Sequence, residues 1–338
     1  MKFDKQNKVA GVVLSQDGKR LATHTAEQIA VWDAQTLRNL GSHDLVGCRG
    51  MSFLPCGRRL AVVGRSLDGH MVRLLSASLK NVDAEYAIPS PTGFRPTFSR
   101  DGNVMAVGQN LIDLTGKNVV KTKAGLTGNV AFHPTVDELY GSLGQTEIAT
   151  GSYWLDDGDL GPGGVPHIPP NMFAMAREYD EVGAVHPVME AIHPIQEIAY
   201  APSGKMVVIG YPNFVAFAEA KTLEFLPRKF FLGEIFGDHA LARHDITRVV
   251  FGPKGLMAIA ANVCYGQLSQ LGAIAGRKLT SGVIVYDLDC SGKAPWKPIS
   301  GPSTEVFYGD VVFTPSDLVV AGIDLTNDRR PFVNRYSL

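Results

Sequence analysis

Val12-Val13-Leu14-Ser15-Gln16-Asp17-Gly18-Lys19-Arg20-Leu21-Ala22 decides the fold of this chain, because its pattern returns six more times. The pattern is an apolar pair, a large apolar residue, a turn and a second apolar run. It recurs at Met51–Ala61, Pro96–Ala106, Val130–Pro134, Ile198–Val208, Val249–Gly255 and Val311–Asp317. The large residue at the end of each first run forms a column: Leu14, Phe53, Phe98, Phe132, Tyr200, Phe251 and Phe313. Asp17-Gly18 and Ser203-Gly204 supply the positive-φ position that glycine tolerates in a tight turn. The chain then returns as an antiparallel apolar strand. After several copies a third strand follows, as at Ile29–Asp33, Met71–Leu75, Phe214–Phe217 and Gly282–Asp287. Alternation and β-branched residues mark these as strands rather than helices.

The column residues are 39, 45, 34, 68, 51 and 62 positions apart. A four-stranded propeller blade takes about 40–45 residues, so three intervals carry insertions and the short one implies a trimmed loop. The unit resembles the WD-repeat β-propeller. The first copy carries the resemblance best, with Ser-Gln-Asp-Gly-Lys-Arg-Leu-Ala leading to Ile29-Ala-Val-Trp32-Asp33; Tyr286-Asp287 resembles a second Trp-Asp end. Ser42-His43 stands where the family's Gly-His would open the second blade, and Ser66-x-Asp68 where its Asp-containing turn would fall. The resemblance implies a His–Ser–Asp–Trp hydrogen-bonded tetrad. His43, Ser66 and Asp68 are its candidates here, with Trp32 and Asp33 in the first blade. Leu74 stands in place of the tetrad's tryptophan, and most other copies lack the set. The expected fold is all-β: a seven-bladed β-propeller of four-stranded antiparallel blades. The last copy offers only three strands, Val311–Thr314, Leu318–Gly322 and Phe332–Leu338, so the N-terminal segment Lys2–Lys8 is expected to supply the fourth. That would leave no open sheet edge.

The length agrees. The chain has 338 residues, more than one ordinary core usually supports, so it is two domains or one repeat array. No composition shift marks a linker, and residues 1–338 read as a single propeller. Gly 36 and Pro 20 point to many turns and little long helix. Lys plus Arg is 32 against 33 for Asp plus Glu, which disfavours nucleic-acid binding by bulk charge. The N-terminus, Met-Lys-Phe-Asp-Lys, lacks the apolar stretch of a signal peptide. Cys48, Cys56, Cys264 and Cys290 form no C-x-x-C pair, so they read as free thiols of a cytoplasmic protein. Gly255–Gly276 is uncharged and long enough to span a bilayer, but Asn262, Gln267, Ser269, Gln270 and its glycines make insertion costly.

Binding groups usually ride on the loops of a rigid scaffold. Insertions are expected at about 156–195, 226–246 and 262–281. Asp156, Asp157 and Asp159 lack the spacing of a calcium loop. His186, Glu190 and His193 have helical spacing for a metal, yet a proline follows each histidine and disfavours the helix. Asp238-His239 and His244-Asp245 lack an accompanying nucleophile motif. No cofactor is implied. The apolar residues are more informative: Phe173, Tyr179, Phe231, Phe236, Tyr265, Leu268 and Leu271 are candidates for touching a partner. The expected function is a non-catalytic scaffold that presents its loops to a protein partner, alone or as a subunit of a larger complex. The competing expectation is a propeller hydrolase of the lactonase type, with a metal at the central channel.

Overall fold

The computed structural model describes residues 9–66, 69–76, 78–89, 95–116, 121–122, 126–136, 138–143, 147–152, 195–211, 214–222, 224–231, 244–263, 281–288, 296–303, 305–326 and 329–338. Every regular element among them is a β-strand. The strands form seven antiparallel sheets, numbered here in chain order, and within each sheet neighbours in the chain are neighbours in space. Sheets 1, 2, 3, 5 and 6 have four described strands, and sheets 4 and 7 have three. Their first strands are Gly11–Leu14, Gly50–Phe53, Thr97–Phe98, Leu126–Phe132, Glu197–Tyr200, His244–Phe251 and Val306–Phe313. Each of these ends on a residue of the large-apolar column. In sheet 1 the register runs from Gly11 opposite His24 to Leu14 opposite Leu21. The 226–246 stretch is partly regular: Phe225–Phe231 is the fourth strand of sheet 5, and His244 opens sheet 6.

Tight hairpins make the meander possible. Gly18, Gly57, Gly102 and Gly204 close the turn after the first strand with φ of 65, 66, 72 and 68°, a region where a Cβ is strained. Ser15 and Ser99 reinforce two of these turns by donating to Asp17 and Asp101 at 2.6 and 2.7 Å. Each aspartate also accepts from the backbone N–H two residues on, the local bonding that favours such residues in turns.

Most second strands carry an apolar run because both faces are covered. Side chains alternate across a strand, and here the alternation sends successive residues to different neighbours. Leu60 and Val62 pack towards sheet 1, while Ala61 and Val63 pack towards sheet 3. Val207 and Ile209 face sheet 4 while Val208 faces sheet 6. Met257, Ile259 and Ala261 face sheet 5 while Ala258 and Ala260 face sheet 7. Burying each of the valine, leucine, isoleucine and methionine side chains contributes about 1.5–3 kcal/mol, and each alanine less. The core is therefore seven apolar clusters among the described residues, each shared by two consecutive sheets. The cluster formed by Val12, Leu14, Leu21, Trp32, Val312, Val319, Ala321 and Ile323 joins sheet 7 to sheet 1, so the packing returns to its start. Val9, 1 % exposed, belongs to this cluster. The segment expected to add a fourth strand to sheet 7 lies outside the described residues.

The column residues hold successive sheets together at their turns. Tyr200 meets the ring of His133 edge-on, with centroids 4.8 Å apart. The Phe313 ring occupies the space a Cβ on Gly252 would need. His133 and Gly252 each follow the column residue of the preceding sheet, so the same contact recurs at two junctions.

Candidate functional site on the first strands

Arg95, Glu197, Arg248 and Asp310 each stand three residues before a column residue: Phe98, Tyr200, Phe251 and Phe313. The repeat thus places Glu197, Arg248 and Asp310 on the first strands of sheets 5, 6 and 7, and Arg95 just before that of sheet 3, with charge alternating along the chain. Asp310 is at the centre. Its Oδ2 accepts from Leu14 N of sheet 1 at 2.8 Å, and its Oδ1 accepts from Val311 N at 3.0 Å. The same Oδ1 lies 3.4 Å from Arg95 Nη2 and 3.3 Å from Arg248 Nε. Glu197 accepts from Arg248 Nη1 at 3.2 Å and lies 3.9 Å from Arg95 Nη1. Arg95 Nη1 also donates to Thr247 O at 2.9 Å. A side chain leading into sheet 3 therefore reaches sheets 5, 6 and 7.

Backbone irregularities aim these groups. The pairing of sheet 6 shifts register between Ile246 and Arg248, and that of sheet 7 between Tyr308 and Asp310. Each bulge inserts one residue, Thr247 or Gly309, immediately before the charged one, and bulges re-aim the side chains beside them. Amide hooks fix the same strands. Asn262, buried, donates to Tyr308 O at 2.7 Å and accepts from Tyr308 N at 2.7 Å. Gln196 accepts from Ile246 N at 2.6 Å and donates to the Asp245 carboxylate.

Burial divides the cluster. The Glu197 and Asp310 side chains are 10 and 3 % exposed, whereas those of Arg95 and Arg248 are 27 and 28 % exposed. The acids are nearly closed to solvent and the arginine side chains keep part of their surface open, though protein encloses both guanidiniums closely enough for desolvation to act on them. Burial lowers the pKa of Arg95, and the Arg248 charge lowers it further; Glu197 and Asp310 offset this only in part. Burial also opposes the Arg248 charge, but Asp310 and Glu197 overcome it and hold that guanidinium above its ordinary value.

The residues named from the sequence lie elsewhere. Trp32 is buried and donates from Nε1 to Thr23 Oγ1 at 2.9 Å, within its own sheet. Asp33 caps the next turn, accepting from Thr36 N and Thr36 Oγ1 at 2.8 Å, and from Gln35 N at 3.1 Å. The Thr36 bonds hold its carboxyl below the usual range. His43 is half-buried on the fourth strand of sheet 1, and Ser66 ends the second strand of sheet 2. Phe231 ends the fourth strand of sheet 5. Asp68, Phe173, Tyr179, Phe236, Tyr265, Leu268 and Leu271 lie outside the described residues, as do Asp156–Asp159, His186, Glu190, His193, Asp238 and His239. His244 and Asp245 are the first two residues of the first strand of sheet 6, and Asp245 accepts from Gln196. Among the described residues no group of three His, Cys, Asp or Glu could hold a metal ion, and no helix is long and apolar enough to cross a membrane.

Sequence reading missed the charged cluster. Its signal was present in the column three positions before the large apolar residue, which reads Gly11, Gly50, Arg95, Asn129, Glu197, Arg248 and Asp310. A charge inside an inner apolar strand needs a partner, and the column alone supplies two of each sign.

No protein-family model matches the chain, and no curated protein sequence matches it. Solved structures do. The β-propeller domain of Myceliophteria thermophila Cps50 (Swd1) superposes with a TM-score of 0.59 at 12% identity, over 98% of this chain and 97% of that one. Kluyveromyces lactis Hsv2 superposes with a TM-score of 0.56 at 10% identity, over 98% of both chains. Hsv2 of Kluyvelomyces marxianus gives 0.56 at 12% identity, over 97% of both. The likeness is one of fold: the chain has a β-propeller fold.

Proposed function

We propose that the seven sheets are the blades of one closed ring spanning residues 1–338, with the N-terminal segment completing the last blade, and that this ring is a non-catalytic scaffold for a protein partner, as a subunit of a larger complex. The observation that carries the reading is where the long connections attach. In a sheet whose four strands follow chain order, the link from second to third strand and the link onward to the next sheet share one end. Stretch 264–280 joins the second and third strands of sheet 6. Stretch 232–243 joins the fourth strand of sheet 5 to the first of sheet 6. Stretch 153–194 enters the first strand of sheet 5. Stretches 264–280 and 232–243 attach at one end of the ring, the end where Phe231 leaves its strand, and stretch 153–194 arrives at that same end where it enters sheet 5. They carry Phe173, Tyr179, Phe236, Tyr265, Leu268 and Leu271.

The test is quantitative co-purification from the source cells, comparing the full chain with variants lacking 156–195 or 262–281. Each deletion variant must first match the parent's far-UV circular dichroism. Loss of a stoichiometric protein partner in either variant is expected. Unchanged recovery of every co-purifying protein in both would defeat the reading.

The hydrolase reading has Glu197 and Asp310 on the first strands in its favour. Both carboxylates, however, are already engaged by guanidiniums, and Asp310 by two backbone N–H groups as well. They do not fit a metal-ligand set, which needs oxygens free to turn towards a cation. Stoichiometric divalent metal retained through purification would favour the enzyme over the scaffold.

A further inference from the structure

We propose that Arg95 and Arg248 form a binding site for a phosphate-type oxyanion on the first strands of the ring. The two guanidiniums flank a single carboxylate oxygen, Asp310 Oδ1, at 3.4 and 3.3 Å. That shared oxygen keeps them close enough together for one tetrahedral anion to reach both forks.

Their donors are under-used. A guanidinium carries about five N–H groups in a rigid fork that matches phosphate oxygens in pairs. Among the described residues Arg95 donates to Thr247 O and, at 3.4 Å, to Asp310 Oδ1. Arg248 donates to Glu197 Oε1, and its Nε makes no hydrogen bond in spite of the nearby Asp310. Arg248 Nε is buried, but the two arginine side chains as wholes keep roughly a quarter of their surface open, while the acids are nearly closed off. Glu197 and Asp310 orient the forks and leave N–H groups of both without an acceptor among the described residues.

The charge pattern favours an anion. Two like charges held together raise each other's cost of ionisation, and the Arg95 charge is the one less well compensated, with Arg248 pressing on it. An oxyanion between the two forks would offset that repulsion and take charge-assisted hydrogen bonds from both. A cation would meet guanidiniums first. The fixed geometry helps as well, because the bulges at Thr247 and Gly309 and the Asn262 hook set the strands in advance, so less ordering is required on binding.

Free phosphate and the phosphate group of a small ester share this chemistry. The test is isothermal titration of the full chain with inorganic phosphate and, separately, glycerol 3-phosphate, in chloride buffers of matched ionic strength. Saturable one-to-one binding of at least one anion is expected. Equal affinities assign the site to the phosphate group itself, and tighter ester binding assigns it to an esterified ligand. Arg95→Lys and Arg248→Lys keep the charge and lose the fork, and each should weaken binding about tenfold or more. Arg58→Gln, which alters an exposed arginine in the first turn of sheet 2, should leave it unchanged. The wild-type titration stands without any variant: no saturable heat from either anion overturns the proposal. So does binding that both lysine variants retain, with their melting curves in chloride showing that they fold.

Discussion

Arg335 Nη2 donates to the carbonyl oxygen of Gly18 at 2.7 Å, joining residues 317 positions apart. The same bond occurs at two other junctions. Arg20 Nη1 donates to Gly57 O at 2.8 Å, and His133 Nε2 lies 3.1 Å from Gly204 O. In each case a side chain of one sheet meets the carbonyl of the positive-φ glycine in the next sheet's first turn. The left-handed turn does two things at once: it reverses the chain and presents an acceptor to the preceding sheet. At Gly18 the preceding sheet is the last one, so this clasp closes the series.

Replacing Arg335 with Met keeps much of the apolar stem and removes the donor. One hydrogen bond from a partly exposed arginine contributes about 1 kcal/mol, so thermal unfolding should shift down by about 2–4 °C. The informative comparison is Arg20→Met, which removes the equivalent clasp inside the series. Hydrogen exchange should accelerate in Gly11–Leu14 and Arg330–Ser337 for the Arg335 variant, and around Gly57 for the Arg20 variant. Equal patterns in the two variants would mean that the clasp has no special part in closure.

Gly309 tests the same junction from within. It is the bulge residue before Asp310, and a Cβ there would fall against Val12 Cγ2 and 3.2 Å from Val12 O. Gly309→Ala should destabilise by about 1–3 kcal/mol through overpacking. Val12→Ala alone should cost about 1–2 kcal/mol of lost burial. The double variant should recover at least about 1 kcal/mol relative to the sum, measured as a coupling in urea unfolding.

How much of this the sequence disclosed depends on the range of each interaction. The seven column residues and the turn glycines Gly18 and Gly204 were legible because hairpin chemistry is local: Ser15, Asp17 and Gly18 bond to one another. The unbroken apolar run Leu60–Val63 was legible as a strand, but not that its residues divide between two neighbouring sheets. The Arg335–Gly18 clasp and the Asp310 cluster were hidden because their partners are brought together only by the closing of the series. Even so, the charged column was recoverable from alignment of the repeats.

Asp310 should be the least replaceable member of that cluster. It is nearly closed to solvent and ties Leu14, Val311 and both arginines. Asp310→Asn keeps the size but leaves two guanidiniums facing one remaining carboxylate, and it turns an amide N–H or a weaker acceptor towards them. Breaking a buried ion network from one side costs about 3–5 kcal/mol. The lower end is expected here, because the arginines retain access to solvent. Urea unfolding should show Asp310→Asn to be more destabilised than Glu197→Gln, whose carboxylate accepts fewer bonds.

Cys48 and Cys56 should react very differently. Cys48 is buried in the cluster shared by sheets 1 and 2, and burial pushes its thiol up to about 12. Cys56 is exposed in the first turn of sheet 2. Reactivity follows the thiolate, so iodoacetamide at pH 8 should label Cys56 in the folded protein and leave Cys48 untouched until denaturant is added. Peptide mapping by mass spectrometry reads both sites. Equal labelling of the two in the native state would contradict the packing around Cys48.

His24 gives the fold a dependence on acid. Its imidazole occupies the space beside Gly11 where a Cβ would lie, and burial lowers its pKa below the ordinary 6.5, with the Thr25 carbonyl offsetting part of the effect. The unfolded chain therefore takes up a proton at this residue at a higher pH than the folded one. Stability rises with pH wherever the unfolded state binds more protons. The contribution of neutral His24 is thus fully present above pH 6.5 and declines as pH falls from there towards the folded-state pKa. His24→Gln removes the titration, so its stability relative to wild type should improve as the pH is lowered from 7 to 5. The measurement is urea unfolding at a series of pH values. A constant difference between the two proteins across that range would show that His24 titrates alike in both states.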